Sequence, residues 1–267
     1  MRATIAGWLM AGAAGLAIAI LAAACSRSAD PGAGPESPKR VVDLGHAIAD
    51  TDPSWSGDKV FSYETVETIA KDGYQAGKFS TDEHFGTHVD APAHFVAGRW
   101  TVDQIPVDRL IRPGVCVNIA SQVRDDGNYR LTVDDLKAFE AKNGEIPPGS
   151  IVLVATGWDS RWSSTHGEYM NEHNGVKHFP GISVEAAKFL ANDRLVVGIG
   201  IDTPSIDYGM SEHFEAHQVS LGRDLFHIEN VTGLTKLPAT GYTVVVAPVK
   251  IRGGSGAPAR VFAVFSR

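Results

Sequence analysis

The stretch that decides the local fold of this chain reads His84-Phe85-Gly86-Thr87-His88-Val89-Asp90-Ala91-Pro92-Ala93-His94-Phe95. It carries three imidazoles and a carboxylate, which are ligand types that divalent zinc and manganese accept in proteins. Gly86, two β-branched residues and Pro92 disfavour a helix, so the stretch predicts an extended strand or loop. Because side chains two apart along a strand share a face, we expect His88 and Asp90 to lie together.

The same parity adds further imidazoles to this face. His84 falls on it, and so does His94 if the chain stays extended past Pro92. Three ligands with one more imidazole nearby are typical of a catalytic metal site that has an acid/base group beside it. A solvated loop rarely concentrates such groups among small residues and proline, so the stretch predicts a metal centre.

The composition is that of an ordinary globular protein. The chain has 267 residues, of which 43% are hydrophobic and 21% are charged, enough to bury a core in one large domain or two small ones. The formal net charge of −7 provides no basic surface for nucleic acid. Cys116 stands between Val115 and Val117 in an apolar run, which favours a buried structural thiol.

The N-terminal residues predict export. Arg2 is followed by an uncharged apolar run that ends in small residues before Cys25, so residues 1–25 are interpreted as a signal peptide. A cysteine in that place favours a bacterial lipoprotein, lipidated at Cys25, over plain secretion or an uncleaved membrane anchor. Residues 26–39 are rich in proline, glycine and serine and predict a flexible tether. All three interpretations place the domain outside the cytoplasm, and the lipoprotein interpretation attaches it to the membrane through a lipid at Cys25.

The remaining residues, 40–267, predict one mixed α/β domain. Apolar runs over residues 114–120, 150–155 and 195–201 indicate buried strands, and Thr132 is a plausible cap for a helix that ends near residue 144. Residues 63–82 predict a hairpin that leads into the histidine-rich stretch. Strand, helix and strand in succession indicate an α/β fold with a partly buried sheet.

A long polar segment interrupts this pattern at residues 157–180 and contains His166, His173 and His178. Such segments in compact domains tend to be functional, so a lid over the site is one interpretation. Solvated histidines without a role are the other. The chain has no Gly-x-Ser-x-Gly motif, which disfavours a serine hydrolase.

Three blocks of sequence resemble the metal-dependent cyclase family, which includes bacterial kynurenine formamidase and isatin hydrolase. The first is the histidine-rich stretch, with the pattern His-x-Gly-Thr-His-x-Asp-x-Pro-x-His-Phe. The second runs from Asp202 to Asp207, where we interpret both aspartates as structural groups that hold a turn. The third pairs His217 with Glu229, twelve residues later. The resemblance implies a single domain of the swivelling β/β/α-like type.

The resemblance also implies a binuclear centre. One metal would be held by His84, His88, Asp90 and Glu229, and the other by Asp90, His217 and Glu229, with both carboxylates bridging. Zinc is the expected ion and manganese is possible, since histidine and carboxylate ligands accept either. His94 would be the acid/base group, and Trp55, on a loop similar to one in the kynurenine formamidases, would contact an aryl substrate.

The implied activity is metal-dependent hydrolysis of an amide. A water activated by the metal would attack the carbonyl carbon, and His94 would pass a proton to the leaving nitrogen. An arylformamidase-like reaction, from N-formyl-L-kynurenine and water to kynurenine and formate, is the first expectation. Hydrolysis of isatin or another cyclic amide or lactone is the alternative within the family, and a non-catalytic periplasmic metal- or ligand-binding lipoprotein is the alternative outside it. The family resemblance further implies a homodimer.

Overall fold

The computed structural model describes residues 40–162 and 165–266. The predicted signal peptide, the tether and Cys25 lie outside these residues, so their interpretation stays a prediction. Within the described ranges, no helix combines the length and the apolar character that crossing a bilayer requires.

The described elements alternate between strands and short helices. The strands are β1 Arg40–Asp43, β2 Ser62–Glu67, β3 Ala76–Ser80, β4 His88–Asp90, β5 Ile111–Asn118, β6 Arg130–Leu131, β7 Ile151–Ala155, β8 Gly181–Ile182, β9 Gly198–Ile201, β10 Phe226–Glu229, β11 Tyr242–Pro248 and β12 Gly256–Phe265. The α-helices are α1 Ile69–Asp72, α2 Ala120–Asp125, α3 Val133–Asn143, α4 His166–Met170, α5 Val184–Lys188 and α6 Glu215–Leu221. A π-helical turn, Phe189–Asp193, continues α5, and 3₁₀ turns cover Pro92–His94, Val102–Gln104, Val107–Leu110, Trp158–Arg161 and Leu234–Lys236.

The main sheet closes on itself into a partial barrel. Its strand order is β1-β12-β11-β5-β7-β9-β10-β4, and the first residues of β12 pair with β4 as well. The strands β5, β7, β9 and β10 run parallel, whereas β4, β11 and β12 join antiparallel. The predicted mixed α/β class is confirmed, and the closure of the sheet is an addition that the strand pattern alone did not indicate.

Two apolar cores lie on the two faces of this sheet. On β7, Ile151, Leu153 and Ala155 point into the barrel, while Val152 and Val154 point outward into the core formed with the helices. This alternation explains why β7 is a continuous apolar run, because a strand covered on both faces has no polar side. The strands β4 and β10 instead bury apolar side chains only on the barrel side, which leaves their other face for polar groups.

The local predictions mostly hold. The hairpin forms from β2 and β3, and α3 begins at the Thr132 cap, whose hydroxyl accepts a hydrogen bond from the backbone N–H of Asp135 at 3.1 Å. The extension of the chain past Pro92 was wrong, because Pro92–His94 is a 3₁₀ turn. Proline is favourable in the first turn of a helix, where its missing N–H is not needed, and this preference outweighs continued pairing.

Candidate metal centre

The site is built on the paired strands β4 and β10. They run antiparallel, with His88 opposite Glu229 and Asp90 opposite His227. Val89 and Ile228 alternate with these residues and belong to the core inside the barrel. The period of two therefore places two imidazoles and two carboxylates together on the outer face of the sheet.

Two further histidines reach this face from other elements. His217 comes from α6, which packs over β10, and His84 comes from the turn before β4. Gly256 on β12 leaves room for the His84 ring, since a Cβ there would lie 2.5 Å from its Cε1 atom. The extended geometry expected for His94 is wrong, but the 3₁₀ turn still brings its ring onto that of His84, with centroids 3.9 Å apart.

Asp90 lies at the centre of this cluster and is almost fully buried. Its Oδ1 atom is 2.6 Å from His84 Nδ1 and 3.3 Å from His88 Nε2. Its Oδ2 atom is 3.3 Å from His217 Nε2 and 3.6 Å from His227 Nδ1. Each oxygen of this carboxylate thus faces two imidazoles.

Glu229 connects the same two groups of histidines. Its Oε1 atom lies 3.2 Å from His217 Nε2, and its Oε2 atom lies 3.5 Å from His88 Nε2. The backbone N–H of Ile206 donates a hydrogen bond to Oε1 at 2.8 Å, which helps to hold the carboxylate in place.

Hydrogen bonds on the far side of the rings direct a lone pair into the cluster. His88 Nδ1 donates to the carbonyl of Gly86 at 2.9 Å, so its Nε2 atom presents a lone pair when the ring is neutral. His217 Nδ1 donates to Asp207 at 2.7 Å, with the same effect on its Nε2 atom. A carboxylate or carbonyl behind a histidine in this way is typical of metal ligands.

His84 is oriented through a serine. The Ser255 hydroxyl donates to Glu83 at 2.6 Å, so its oxygen accepts from His84 Nε2–H at 3.0 Å. The Nδ1 atom of His84 is therefore the one that faces Asp90.

In the cluster, the carboxylates stabilise the charged form of the histidines, and the histidines stabilise the charged form of Asp90. Burial alone would lower the pKa of His88, but the carboxylates of Asp90 and Glu229 outweigh it and raise that pKa to about 10. Burial likewise opposes charge on His217, yet Asp207, Asp90 and Glu229 raise its pKa well above the usual value. Burial would raise the pKa of Asp90, but the surrounding histidines lower it well below its ordinary value. The pair of buried carboxylates therefore binds positive charge strongly, and a metal ion would displace protons.

The donor atoms fall into two sets that fit divalent metal ions. The inner set comprises Asp90, His217, His227 and Glu229, all buried, and the outer set comprises His84, His88 and Asp90; in each set the donor atoms lie within 4.8 Å of one another. Four ligands at about 2.1 Å from a tetrahedral ion stand about 3.4 Å apart. Most of the separations between imidazole nitrogen and carboxylate oxygen in the cluster, 3.2 to 3.6 Å, match that value.

A pocket of about 690 Å³ opens onto the cluster, and His84, His88, His217 and Glu229 line it. Trp55, Phe95, Met170 and Phe214 line it beside the histidines, so one wall is aromatic and apolar. The rings of Trp55 and Phe214 are 6.0 Å apart, and Lys177 Nζ lies 4.7 Å from the centre of the Trp55 ring. The site therefore combines a metal-type donor cluster with a surface suited to an aryl group.

His94 lines this pocket beside the donor sets. Burial lowers the pKa of His94 to about 4, so its ring is neutral at pH 7. No hydrogen bond to this ring is found within the described ranges, in contrast to the four histidines around Asp90. A neutral, uncommitted imidazole next to a metal-type cluster can accept and return a proton.

The segment at residues 157–180 forms part of the pocket wall. Met170 lines the pocket, and the Tyr169 hydroxyl donates to Asn230 at 2.9 Å. His166 Nδ1 donates to the carbonyl of Ser54 at 2.8 Å and so ties this segment to the Trp55 loop. The interpretation of His166 as a solvated side chain without a role was wrong.

The sequence prediction missed some residues of the site and gave others an incomplete role. Asp202 accepts hydrogen bonds from Thr156 and Gly157, as a structural group would, whereas Asp207 also orients His217. His227 was missed; its strand parity with Glu229 could have placed the two on one face, but not His227 opposite Asp90. Phe214 carried no sequence signal, because its place in the wall depends on a left-handed backbone with φ of 52°.

Together, the partial barrel and the buried histidine–carboxylate cluster define an α/β protein with a metal-type centre. The family model described as putative cyclase matches residues 42–208. Isatin hydrolase from Roseibium aggregatum is 34% identical over 190 residues, which cover 68% of this chain and 72% of that protein. Kynurenine formamidase from Bacillus cereus is 26% identical over 220 residues, which cover 82% of this chain and 94% of that protein.

The fold is also similar to that of solved relatives. Isatin hydrolase A from Ralstonia solanacearum superposes with a TM-score of 0.79 and 32% identity, over 85% of this chain and 92% of that chain. The chain belongs to the putative cyclase family. The family match ends at residue 208, so His217, His227 and Glu229 are placed in the site by the structure of this chain.

Replacing His88 tests the cluster as a metal centre. We expect His88→Ala to weaken the binding of zinc or manganese to the full chain by more than the roughly 10- to 100-fold that losing a hydrogen-bond partner of a ligand costs. Isothermal titration of the metal-stripped protein measures this effect. His173→Ala, which removes a histidine outside both donor sets, is the matched control, and equal affinity in the two variants would exclude His88 as a ligand.

Proposed function

We propose that this protein is a metal-dependent hydrolase that opens the amide ring of a small, uncharged aryl substrate of the isatin type. The observation that carries the proposal is the position of a neutral His94 between the donor cluster and an aromatic wall. The similarity to isatin hydrolases in sequence and fold supports it. We propose zinc as the ion, with manganese as the alternative.

The metal ligands, the aromatic side chains and His94 have separate roles in the reaction. A divalent ion held by the outer set supplies Lewis acidity, which lowers the pKa of water and polarises a carbonyl group. Trp55, Phe95 and Phe214 hold the aryl ring, and His94 accepts the proton of the attacking water. The carbonyl carbon gains a bond to oxygen and loses its bond to nitrogen, and His94 returns the proton to that nitrogen. In a cyclic amide the new carboxylate and the aniline stay on one molecule.

Two acidic side chains in the pocket lining disfavour an anion there. Asp82 and Glu83 both line the pocket, and Glu83 accepts hydrogen bonds from the Ser255 N–H and hydroxyl. Like charges repel one another, and water screens this repulsion at the exposed Asp82. These side chains repel an anion such as the ring-opened carboxylate product, whereas N-formyl-kynurenine carries an ammonium beside its carboxylate and has no net charge.

A second candidate is the arylformamidase reaction. The pocket volume of about 690 Å³ leaves room for a substrate longer than a fused two-ring amide. The chain also aligns with kynurenine formamidases over most of its length. The same donor sets and the same histidine would serve that reaction, so the choice depends on the pocket walls.

Competing substrates test the proposal directly. The full chain is stripped of metal, reloaded with zinc or manganese, and assayed with isatin and N-formyl-kynurenine. We expect metal-dependent ring opening of isatin with kcat/KM at least about tenfold above that for N-formyl-kynurenine, because the wall of Trp55, Phe95 and Phe214 suits a flat ring. Faster release of formate would favour the arylformamidase reaction. Metal binding without turnover of either compound would favour a metal-binding protein.

Replacing His94 separates proton transfer from metal binding. Because this ring is outside both donor sets, His94→Ala should keep its metal and lose about 10²- to 10⁴-fold in kcat, the usual contribution of a general acid/base. Metal content by mass spectrometry and kcat are measured on the same sample. Unchanged turnover would remove His94 from the mechanism, and loss of the metal would reassign it to the centre.

Replacing Trp55 tests the aromatic wall. We expect Trp55→Ala to raise KM about tenfold, a loss of roughly 1.4 kcal/mol in binding, while kcat stays within about threefold. Tyr74→Ala removes another exposed aromatic side chain, on the β2–β3 hairpin region, and serves as the control. A fall in kcat without a change in KM would contradict a role confined to substrate binding.

A further inference from the structure

His227 is the buried histidine of the site that the family resemblance leaves without a role. It is fully buried on β10 and directly opposite Asp90 on β4. Its Nδ1 atom is one of the buried side-chain nitrogens for which the described structure contains no hydrogen-bond partner. A buried polar atom without a partner costs about 1–3 kcal/mol, so this atom requires an explanation.

The hydrogen bonds behind the ring determine its tautomer. The Ser220 hydroxyl donates to the carbonyl of Ala216 at 2.6 Å, which uses its single proton. The Ser220 oxygen lies 2.7 Å from His227 Nε2, so in this contact Nε2–H must be the donor. A neutral His227 therefore carries its proton on Nε2 and presents the lone pair of Nδ1.

That lone pair points at the inner donor set. His227 Nδ1 lies 3.6 Å from Asp90 Oδ2, beyond hydrogen-bond distance and close to the separation of two ligands on one tetrahedral ion. The ring of His227 stands nearly perpendicular to that of His217, with centroids 4.7 Å apart. An unprotonated nitrogen that faces a carboxylate oxygen is unfavourable unless a cation lies between them.

We propose that His227 Nδ1 is the fourth ligand of a metal ion held by the inner donor set. The other ligands are His217 Nε2 and one oxygen each of Asp90 and Glu229. This inference rests on the metal centre of the proposed function and adds a ligand to it.

The fourth ligand changes the role of the inner ion. Sites with four protein ligands are structural, whereas catalytic sites keep a position for water or substrate. Of the inner set, Asp90 and His227 do not line the pocket, whereas His217 and Glu229 do, as do His84 and His88 of the outer set. With four protein ligands the inner ion would hold the two carboxylates in position, whereas the outer set, with three, would leave a position for water or substrate.

Metal content and affinity test the assignment without an activity assay. The full chain, His227→Gln and Ser220→Ala are loaded with zinc, dialysed and analysed by mass spectrometry, and affinities follow from competition with a chromophoric chelator. We expect two ions in the parent protein and one in His227→Gln, with the affinity for the lost ion reduced by more than about 100-fold. Ser220→Ala removes only the group behind the ring and should cost the roughly 10- to 100-fold typical of such partners.

His46→Gln is the control for the loss of a partly buried histidine, since His46 stacks on Trp162 away from both donor sets. Two ions in His227→Gln with affinities within about tenfold of the parent would overturn the assignment and leave the proposed function intact. A parent protein that binds no ion would overturn both.

A second measurement covers the case in which His227→Gln does not fold. Crystals of the parent protein loaded with zinc give anomalous difference maps that locate the ions. We expect an ion about 2.0–2.1 Å from His227 Nδ1. An ion bound to Asp90 and His217 but more than about 3 Å from that atom would contradict the proposal.

Discussion

The burial of the Asp90 carboxylate is the constraint on which the site depends. A charged group with 1% of its side chain exposed is stable only when opposite charge and hydrogen-bond donors surround it. Four imidazoles perform this function here, two at each oxygen, and each is in turn oriented by a group behind it. The histidines come from two distant parts of the chain, around β4 and from α6 to β10, so the fold must form before they can surround one carboxylate.

Closure of the sheet supplies the rigidity that this arrangement needs. Because β4 is paired with β10 on one side and β12 on the other, Asp90 sits on a strand whose backbone is held on both edges. The same closure brings Ser255, just before β12, to the His84 ring, and requires glycine at position 256. Pairing with β10 and β12 therefore fixes the position of the three-residue strand β4.

The sequence predicted the chemistry of the site better than its geometry. Strand parity placed His88 and Asp90 on one face, because that rule depends only on local backbone geometry. It could not indicate that His227 lies opposite Asp90, since the register between β4 and β10 is set by residues far apart in the chain. The extension past Pro92 was predicted wrongly because proline suits both a strand end and the first turn of a helix. Without the resemblance to the cyclase family, Glu229 would not have stood out from the other acids nearby.

Two residues of the pocket wall have an unfavourable backbone conformation. Phe214 and Asn230 both line the pocket with a left-handed backbone, at φ of 52° and 53°, a conformation that costs a non-glycine residue about 1 kcal/mol or more. Asn230 offsets this cost by accepting a hydrogen bond from Tyr169 and donating one to the carbonyl of Gly86, which also accepts from His88. Phe214 has its aromatic contacts with Phe95 and Trp55. The strained residues thus join the aromatic wall and Tyr169 to the metal-type centre, and the contacts that hold them also hold the carbonyl behind His88.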